Sequence, residues 1–222
     1  MRAASFAAWG REEAKPFRTA EIYWMLCAAV VALAYYNTEV VMTRAVFHSI
    51  LGAQLDTQRI DVQYELTRKW AVLGYVLVPP MLAAEAGFLA FITQLFVLLV
   101  GAEAPLGKLF RVAMLAKIPL LAGAAARSVW LGSLPAAAIT RATLNVVPWS
   151  LGNMLFDPSQ ALSPGYAFAS AINPVELAWG VIMTAGVARI GGMSRRRSAA
   201  IVLAVWLGGQ LTSFVVRSFL VS

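Results

Sequence analysis

The chain has 222 residues, of which 60% are hydrophobic and only 13% are charged, and its mean hydropathy is +0.71. A soluble domain with a charged surface does not reach such values, so the composition is that of an integral membrane protein. The formal charge of +7 does not indicate nucleic-acid binding, because the basic residues flank apolar segments and form no stripe with exposed aromatic residues. One cysteine and one histidine exclude an intrachain disulfide and a multi-histidine site, and we expect no metal and no cofactor.

Five apolar segments are about long enough to cross a bilayer as helices. They cover residues 22–43, 70–101, 109–134, 170–192 and 198–221. The sequence therefore predicts an all-α, polytopic transmembrane bundle of five spans. We expect one domain over residues 1–222, since the connecting segments are too short for a separate soluble domain. The first segment is longer than the apolar region of a secretory signal and lacks a cleavage pattern, which predicts a retained anchor.

Between the first two spans, the stretch RIDVQYELTR alternates apolar and polar residues, a pattern typical of a β-strand. We expect an extended segment whose apolar face docks on a neighbouring protein outside the membrane. The residues of that face are Ile60, Val62, Tyr64 and Leu66. In the alternative interpretation, the first span continues outward as a helix and the alternation is chance.

The second span contains Pro79 and Pro80 in its interior. Proline removes a backbone donor from the helical ladder, so the pair should kink the helix, and a split into two helices is the alternative. A kink also lets a segment this long fit into one bilayer.

Three ionisable side chains fall inside predicted spans, where a charge is costly and usually marks a function or a pair. Glu85 and Lys117 lie at similar depths on adjacent antiparallel helices, so we predict that they form an ion pair. This pair either fixes helix packing or belongs to a proton or ion pathway. Arg127 lies nearer the outer end of its span and can extend to the interface.

The segment 135–169 is too apolar for a free loop and too rich in proline for a straight span, so we expect it to lie in the interface or under a partner. After it, Asn173 is predicted to cap the fourth span and Pro174 to occupy the first turn. Glu176 follows three residues after the cap, where its carboxylate can bond back to the Asn173 amide. A ligand-binding role for Glu176 is the alternative.

Small residues recur in the last three spans, where they permit close approach of helices within the bundle or to another subunit. They are Gly123, Ala124, Ala125, Ala126, Gly186, Gly191, Gly192, Gly208 and Gly209.

The turn GGMSRRRS predicts the topology, because arginines next to the ends of spans stay on the cytoplasmic face. With Arg195, Arg196 and Arg197 inside, five alternating spans place the N-terminus inside and the C-terminus outside. Ten basic residues then flank cytoplasmic span ends and six lie outside.

The chain from about Phe110 onward resembles the Yip family of Ypt/Rab-interacting proteins and their bacterial relatives. The resemblance rests on the stretches FRVAMLAKIPLLAGAAAR, AINPVELAWGVIM and ARIGGMSRRRSAAIVLAVWL. It implies five spans with a cytoplasmic N-terminus. Rab binding is not implied, because eukaryotic members usually have a long cytosolic N-terminal region and this chain has about 21 residues before its first span. The excess of arginine over lysine is typical of a bacterial source, so we expect the bacterial inner membrane.

We find no enzyme signature: no metal-binding histidine pair, no nucleophile elbow and no phosphate-binding glycine loop. The sequence therefore favours a noncatalytic membrane accessory or scaffold subunit that binds lipids or other membrane proteins. The alternative is a component of a membrane transporter, such as an auxiliary subunit of an ATP-driven pump.

Overall fold

The computed structural model describes residues 19–221, with side chains through residue 216, and this range contains α-helices and short helical turns but no β-strand. Its α-helices are α1 (Thr19–Tyr36), α2 (Arg44–Leu51), α3 (Thr57–Leu99), α4 (Leu106–Gly132), α5 (Leu151–Leu155), α6 (Pro164–Ser170), α7 (Pro174–Gly191) and α8 (Arg195–Val221). A π-helical turn, Asn37–Val41, continues α1. The basic residues Arg2, Arg11, Lys15 and Arg18 of the topology prediction lie outside the described residues.

Four helices are long and apolar enough to cross a membrane, namely α1 with its π-helical turn, α3, α4 and α8. Helices α6 and α7 supply a fifth only if they count together as one span bent by 54°. The prediction of an all-α fold is confirmed for the described residues, and four to five of its helical segments are candidate membrane spans.

The expectation of a strand at Ile60–Leu66 is wrong. Helix α3 begins at Thr57, where the Asp56 side chain caps it by accepting a hydrogen bond from the Arg59 amide at 2.9 Å. Helix α3 therefore begins well before residue 70, where we expected the second span to start. The alternative interpretation, in which this segment is helical and the alternation is chance, is correct for residues 60–66. The first span does not continue outward unbroken, however, because Thr43 caps a separate helix, α2.

In a helix, the four residues of the expected apolar face, Ile60, Val62, Tyr64 and Leu66, fall on two different sides. Ile60 is 1% exposed and Tyr64, one turn later, packs edge-to-face on Phe47 with ring centroids 5.3 Å apart. Val62 is 63% exposed and, with Leu66 one turn later, lies on another side of α3. Residues four apart share a helix face, so an alternating apolar pattern over so few residues also fits a helix with two apolar stripes.

Helix α3 runs unbroken through Pro79 and Pro80, so the split into two helices is wrong. The first span supports this region, because the Tyr23 hydroxyl of α1 donates to the Pro79 carbonyl at 2.8 Å.

Helix α4 is the centre of the bundle and packs against α1, α3 and α7. Its contact with α7 is close because both helices carry glycine where the partner has valine. Gly186 faces Val112, and a side chain at Gly123 would meet Val175 within 2.7 Å. The two contacts place α4 and α7 antiparallel. Gly208 and Gly209, in contrast, have no neighbour near the position of a β-carbon in the described part of the chain.

The helices define two ends of the bundle. One end comprises the short connections 100–105 and 192–194. We call it the basic end, because Lys108, Arg111, Arg189 and the three arginines of α8 lie next to these connections. The opposite end carries residues 42–56 and the cap, which we define as residues 133–173. The Ser49 hydroxyl donates to the Ile139 carbonyl at 2.9 Å, and Arg141 donates to Gln54 at 2.6 Å, so these two segments fold onto each other.

Short helices and turns make up the cap around the buried Tyr166, whose hydroxyl accepts from the Val147 amide at 3.0 Å. Trp149 and Met154 remain exposed on its surface. An apolar surface on a proline-broken segment agrees with the expected position at the membrane interface.

Candidate functional site

The Lys117 ammonium donates to the Glu85 carboxylate in a salt bridge between α4 and α3. Lys117 lies 11 residues after the start of α4 and Glu85 lies 14 residues before the end of α3. At 1.5 Å per residue both are about 16–21 Å from the basic end, near the middle of a bilayer. The contact that the sequence predicts from depth is present.

The two partners of this pair differ in burial. The Lys117 side chain is 14% exposed, whereas the Glu85 side chain is 65% exposed. Both line a groove of about 440 Å³ between α1, α3 and α4, whose other walls are apolar. The groove residues are Leu26, Val30, Val78, Met81, Leu82, Leu120 and Leu121. The carboxylate therefore lies at the lateral surface of the bundle, which we call the Glu85 face.

A second carboxylate approaches Lys117 from α7. Glu176 is half-buried, interacts electrostatically with Lys117 and lies beside the Trp206 side chain of α8. The predicted bond from the Asn173 amide to the Glu176 carboxylate is not formed. Lys117 thus has acidic groups on two neighbouring helices.

The predicted N-terminal capping of helix α7 is confirmed for Asn173 and Pro174. The Asn173 side-chain oxygen accepts from the amides of Val175 and Glu176 at 2.9 and 3.0 Å, and Pro174 occupies the first helical position. The Asn173 side-chain amide also donates to the Ser170 carbonyl at 2.9 Å. One side chain therefore joins α6 to α7 at their bend.

Arg127 contacts the cap. Its guanidinium donates to the Leu144 carbonyl, while its Nε is buried and has no hydrogen-bond partner among the described residues. The side chain ties the outer part of α4 to the cap instead of extending freely to water.

A polar cluster that the sequence analysis missed joins α2 to the first turns of α3. Arg44 bonds Glu65 at 2.7 Å and approaches Asp61 at 3.6 Å, and His48 approaches the same Asp61 oxygen at 3.2 Å. Arg44 also lies over the Tyr64 ring, 5.4 Å from its centroid. The signal was the four-residue spacing of Asp61 and Glu65, which places both on one helix face.

A further ion pair links α3 to the π-helical turn, where Arg68 bonds Glu39 at 2.5 Å. Within residues 19–221 we find no group of three histidine, cysteine or acidic side chains that could hold a metal ion.

Arg195, Arg196 and Arg197 form the first turn of α8 at the basic end. Gly192 precedes them with φ of +61°, a left-handed conformation that ends α7 and that side-chain-bearing residues rarely adopt. The Ser194 hydroxyl accepts from the Arg197 amide at 3.4 Å. The sequence SRRR thus starts a helix directly after a tight turn.

Comparison of the chain with family models, curated proteins and solved structures finds no match.

Proposed function

We propose that the chain is a noncatalytic accessory or scaffold subunit of a membrane protein complex, and that a partner subunit covers the Glu85 face. The supporting observation is the exposed Glu85 carboxylate at mid-depth. A charged group in contact with lipid is costly, and intramembrane charges almost always face protein or a water-filled cavity. Lys117 offsets part of this cost, but it covers the carboxylate from one side only.

The proposal includes a topology and a location. The chain has five spans with a cytoplasmic N-terminus, as the Yip family resemblance implies, and an outer C-terminus. The excess of arginine over lysine supports a bacterial inner membrane. The clustering of Lys108, Arg111, Arg189 and the three arginines of α8 near the basic end supports this orientation. The residues Val62 and Leu66 remain candidates for docking outside the membrane, because both are exposed on α3.

Site-specific photo-crosslinking in native membranes tests the partner. Met81 lies on the Glu85 face one turn before Glu85 and is exposed, so a photoreactive residue there should form one discrete protein adduct. The adduct should weaken several-fold in Glu85→Gln. Val181 on α7 is equally exposed and is the control position, where we expect no such adduct. Lipid adducts alone at Met81 would contradict the proposal.

A transporter component is the second candidate, and the Glu85–Lys117 pair with the half-buried Glu176 on a neighbouring helix favours it. Groups of ionisable side chains within a bundle can form proton or ion pathways. The purified chain, reconstituted alone in vesicles, would then show ion or proton flux that is lost in Glu85→Gln. We expect no flux from the isolated chain if it is an accessory subunit.

A further inference from the structure

Two apolar grooves follow α8 on opposite sides. The α7–α8 groove has a volume of about 670 Å³, and the α3–α8 groove has a volume of about 490 Å³. The first is lined on α8 by Arg195, Ala199, Val202, Leu203 and Trp206. The second is lined on α8 by Arg197, Ala200, Ile201 and Ala204. Each groove therefore has one arginine, and both arginines are at the basic end.

The helical period explains this division. Residues spaced by three and four share a face, so Arg195 heads one stripe of α8 and Arg197 heads another. Arg196 lines neither groove. Three consecutive arginines thus occupy three different positions relative to the grooves, although their side chains are chemically identical.

On α8, the lining of the α7–α8 groove covers the depth of one lipid leaflet from the basic end. From Arg195 to Trp206 it follows α8 over 11 residues, which is about 16 Å at the helical rise. One leaflet contributes about 15 Å to the hydrocarbon core. A chain whose polar group lies at Arg195 would therefore reach the level of Trp206, and Glu176 lies beyond that level at the far end of the groove.

The arginines at these two positions are available for an anion. Among the residues that the structure describes, neither Arg195 nor Arg197 takes part in a salt bridge. A guanidinium donates two parallel hydrogen bonds to phosphate oxygens. A zwitterionic headgroup also has a phosphate, but the cation of the same headgroup lies beside it and already neutralises its charge. Net negative headgroups are therefore favoured at both positions.

We propose that the two grooves bind acyl chains of anionic phospholipids from one leaflet, with Arg195 and Arg197 each contacting a headgroup phosphate. Apolar burial in the grooves supplies affinity, and the paired arginines supply selectivity for net negative headgroups. This binding does not depend on a partner at the Glu85 face, because that face belongs to α1, α3 and α4.

Native mass spectrometry of the full chain in mild detergent, titrated with phosphatidylglycerol or phosphatidylcholine, tests this proposal. We expect two tightly retained phosphatidylglycerol molecules and weaker retention of phosphatidylcholine. Arg195→Gln and Arg197→Gln should each lower the affinity of one site by about fivefold, the effect of one basic group near a membrane surface. The matched control, Arg196→Gln, should leave both sites unchanged.

Fluorescence quenching tests the position of the first site. Brominated phosphatidylglycerol should quench Trp206 and Trp179, which both line this groove. The total quenching should therefore fall in part in Trp206→Phe, and it should also fall in Arg195→Gln. Arg195→Lys, which keeps the charge, should retain most of the quenching. Equal binding of both lipids, or an equal loss in Arg196→Gln, overturns the proposal. A protein adduct from a photoreactive residue at Leu203 also overturns it, because a subunit would then occupy the groove.

Discussion

At the scale of single residues, the covered Lys117 depends on its partners more than the exposed Glu85 does. Lys117 is surrounded by α3, α4 and α7, so it cannot regain water when a partner is removed. Glu85 lies at the surface, where side-chain movement can bring its carboxylate towards other groups. A charge left alone near the centre of a span costs about 2.5–3.5 kcal/mol on insertion scales. Because the covered Lys117 ammonium needs a nearby carboxylate, the pair couples α4 to α3.

Charge reversal of the pair tests this coupling. We expect Glu85→Lys and Lys117→Glu each to lower the unfolding free energy by about 3 kcal/mol, and the double variant to recover part of the loss. Recovery should be incomplete, because the carboxylate at position 117 would then face Glu176. Denaturant unfolding in detergent measures the cycle, with Lys108→Glu at the basic end as a control. Additive losses in the double variant would show that the two side chains do not interact.

At the scale of elements, α3 is longer than a bilayer is thick. Its 43 residues span about 65 Å, roughly twice the hydrocarbon core, so its first turns must extend beyond the membrane unless the helix is strongly tilted. The polar cluster with α2 occupies these turns. Exposed ion pairs contribute about 0–1 kcal/mol each, so the cluster orients α2 against α3 more than it stabilises the fold.

Substitutions at Val62 distinguish a helix from the strand that the alternating pattern predicted. In the observed helix, Val62→Ala should be neutral or slightly stabilising, because alanine has the higher helix propensity and Val62 is exposed. Val62→Pro should cost about 3 kcal/mol, because it removes a helical hydrogen bond and clashes with the preceding turn. Thermal unfolding of both variants provides the measurement. A destabilising alanine together with a tolerated proline would argue for extended structure here.

The contact between α4 and α7 depends on glycine at the point of closest approach. Gly186→Leu would force its side chain into Val112, and we expect a loss of about 1–3 kcal/mol from overpacking or helix separation. Gly208→Leu on α8 is the matched control, because nothing lies near its β-carbon position and leucine favours helix. Melting temperatures in detergent should fall for the first variant only. Equal behaviour of both would mean that α4 and α7 do not pack at this position.

At the scale of the whole molecule, the sequence predicted those features that depend on local composition or helix depth. Apolar length predicted the long helices that are candidate spans, and similar depth on adjacent helices predicted the contact between Glu85 and Lys117. The start of α3 was missed because a few alternating residues fit either a strand or a two-striped helix. Contacts of the cap, such as Ser49 with Ile139, join segments far apart in the chain, and no local pattern encodes them. The grooves beside α8 likewise depend on how far neighbouring helices diverge.

The charged residues at the two ends of the bundle together predict its orientation in the membrane. Lys108, Arg111, Arg189 and the three arginines of α8 lie near the basic end, and the cap end carries a more balanced set of charges that pair with one another. Basic residues beside span ends resist translocation, whereas acidic residues contribute little. The basic end should therefore face the cytoplasm. The cap, with its exposed Trp149 and Met154, should lie at the outer surface.

Reporter fusions test this orientation. Alkaline phosphatase, which is active only outside the cytoplasm, should be inactive when fused after Ser194 and active when fused after Gln54 or Ser222. We expect the positive charges to determine the orientation. Replacing Arg195, Arg196 and Arg197 together with glutamine should therefore raise the activity of the Ser194 fusion, because fewer basic residues then retain this turn in the cytoplasm. Replacing the outer Arg44 and Arg59 with glutamine is the control and should leave every fusion unchanged. Activity at Ser194 in the native sequence, or none after Ser222, would require the opposite orientation or an even number of spans.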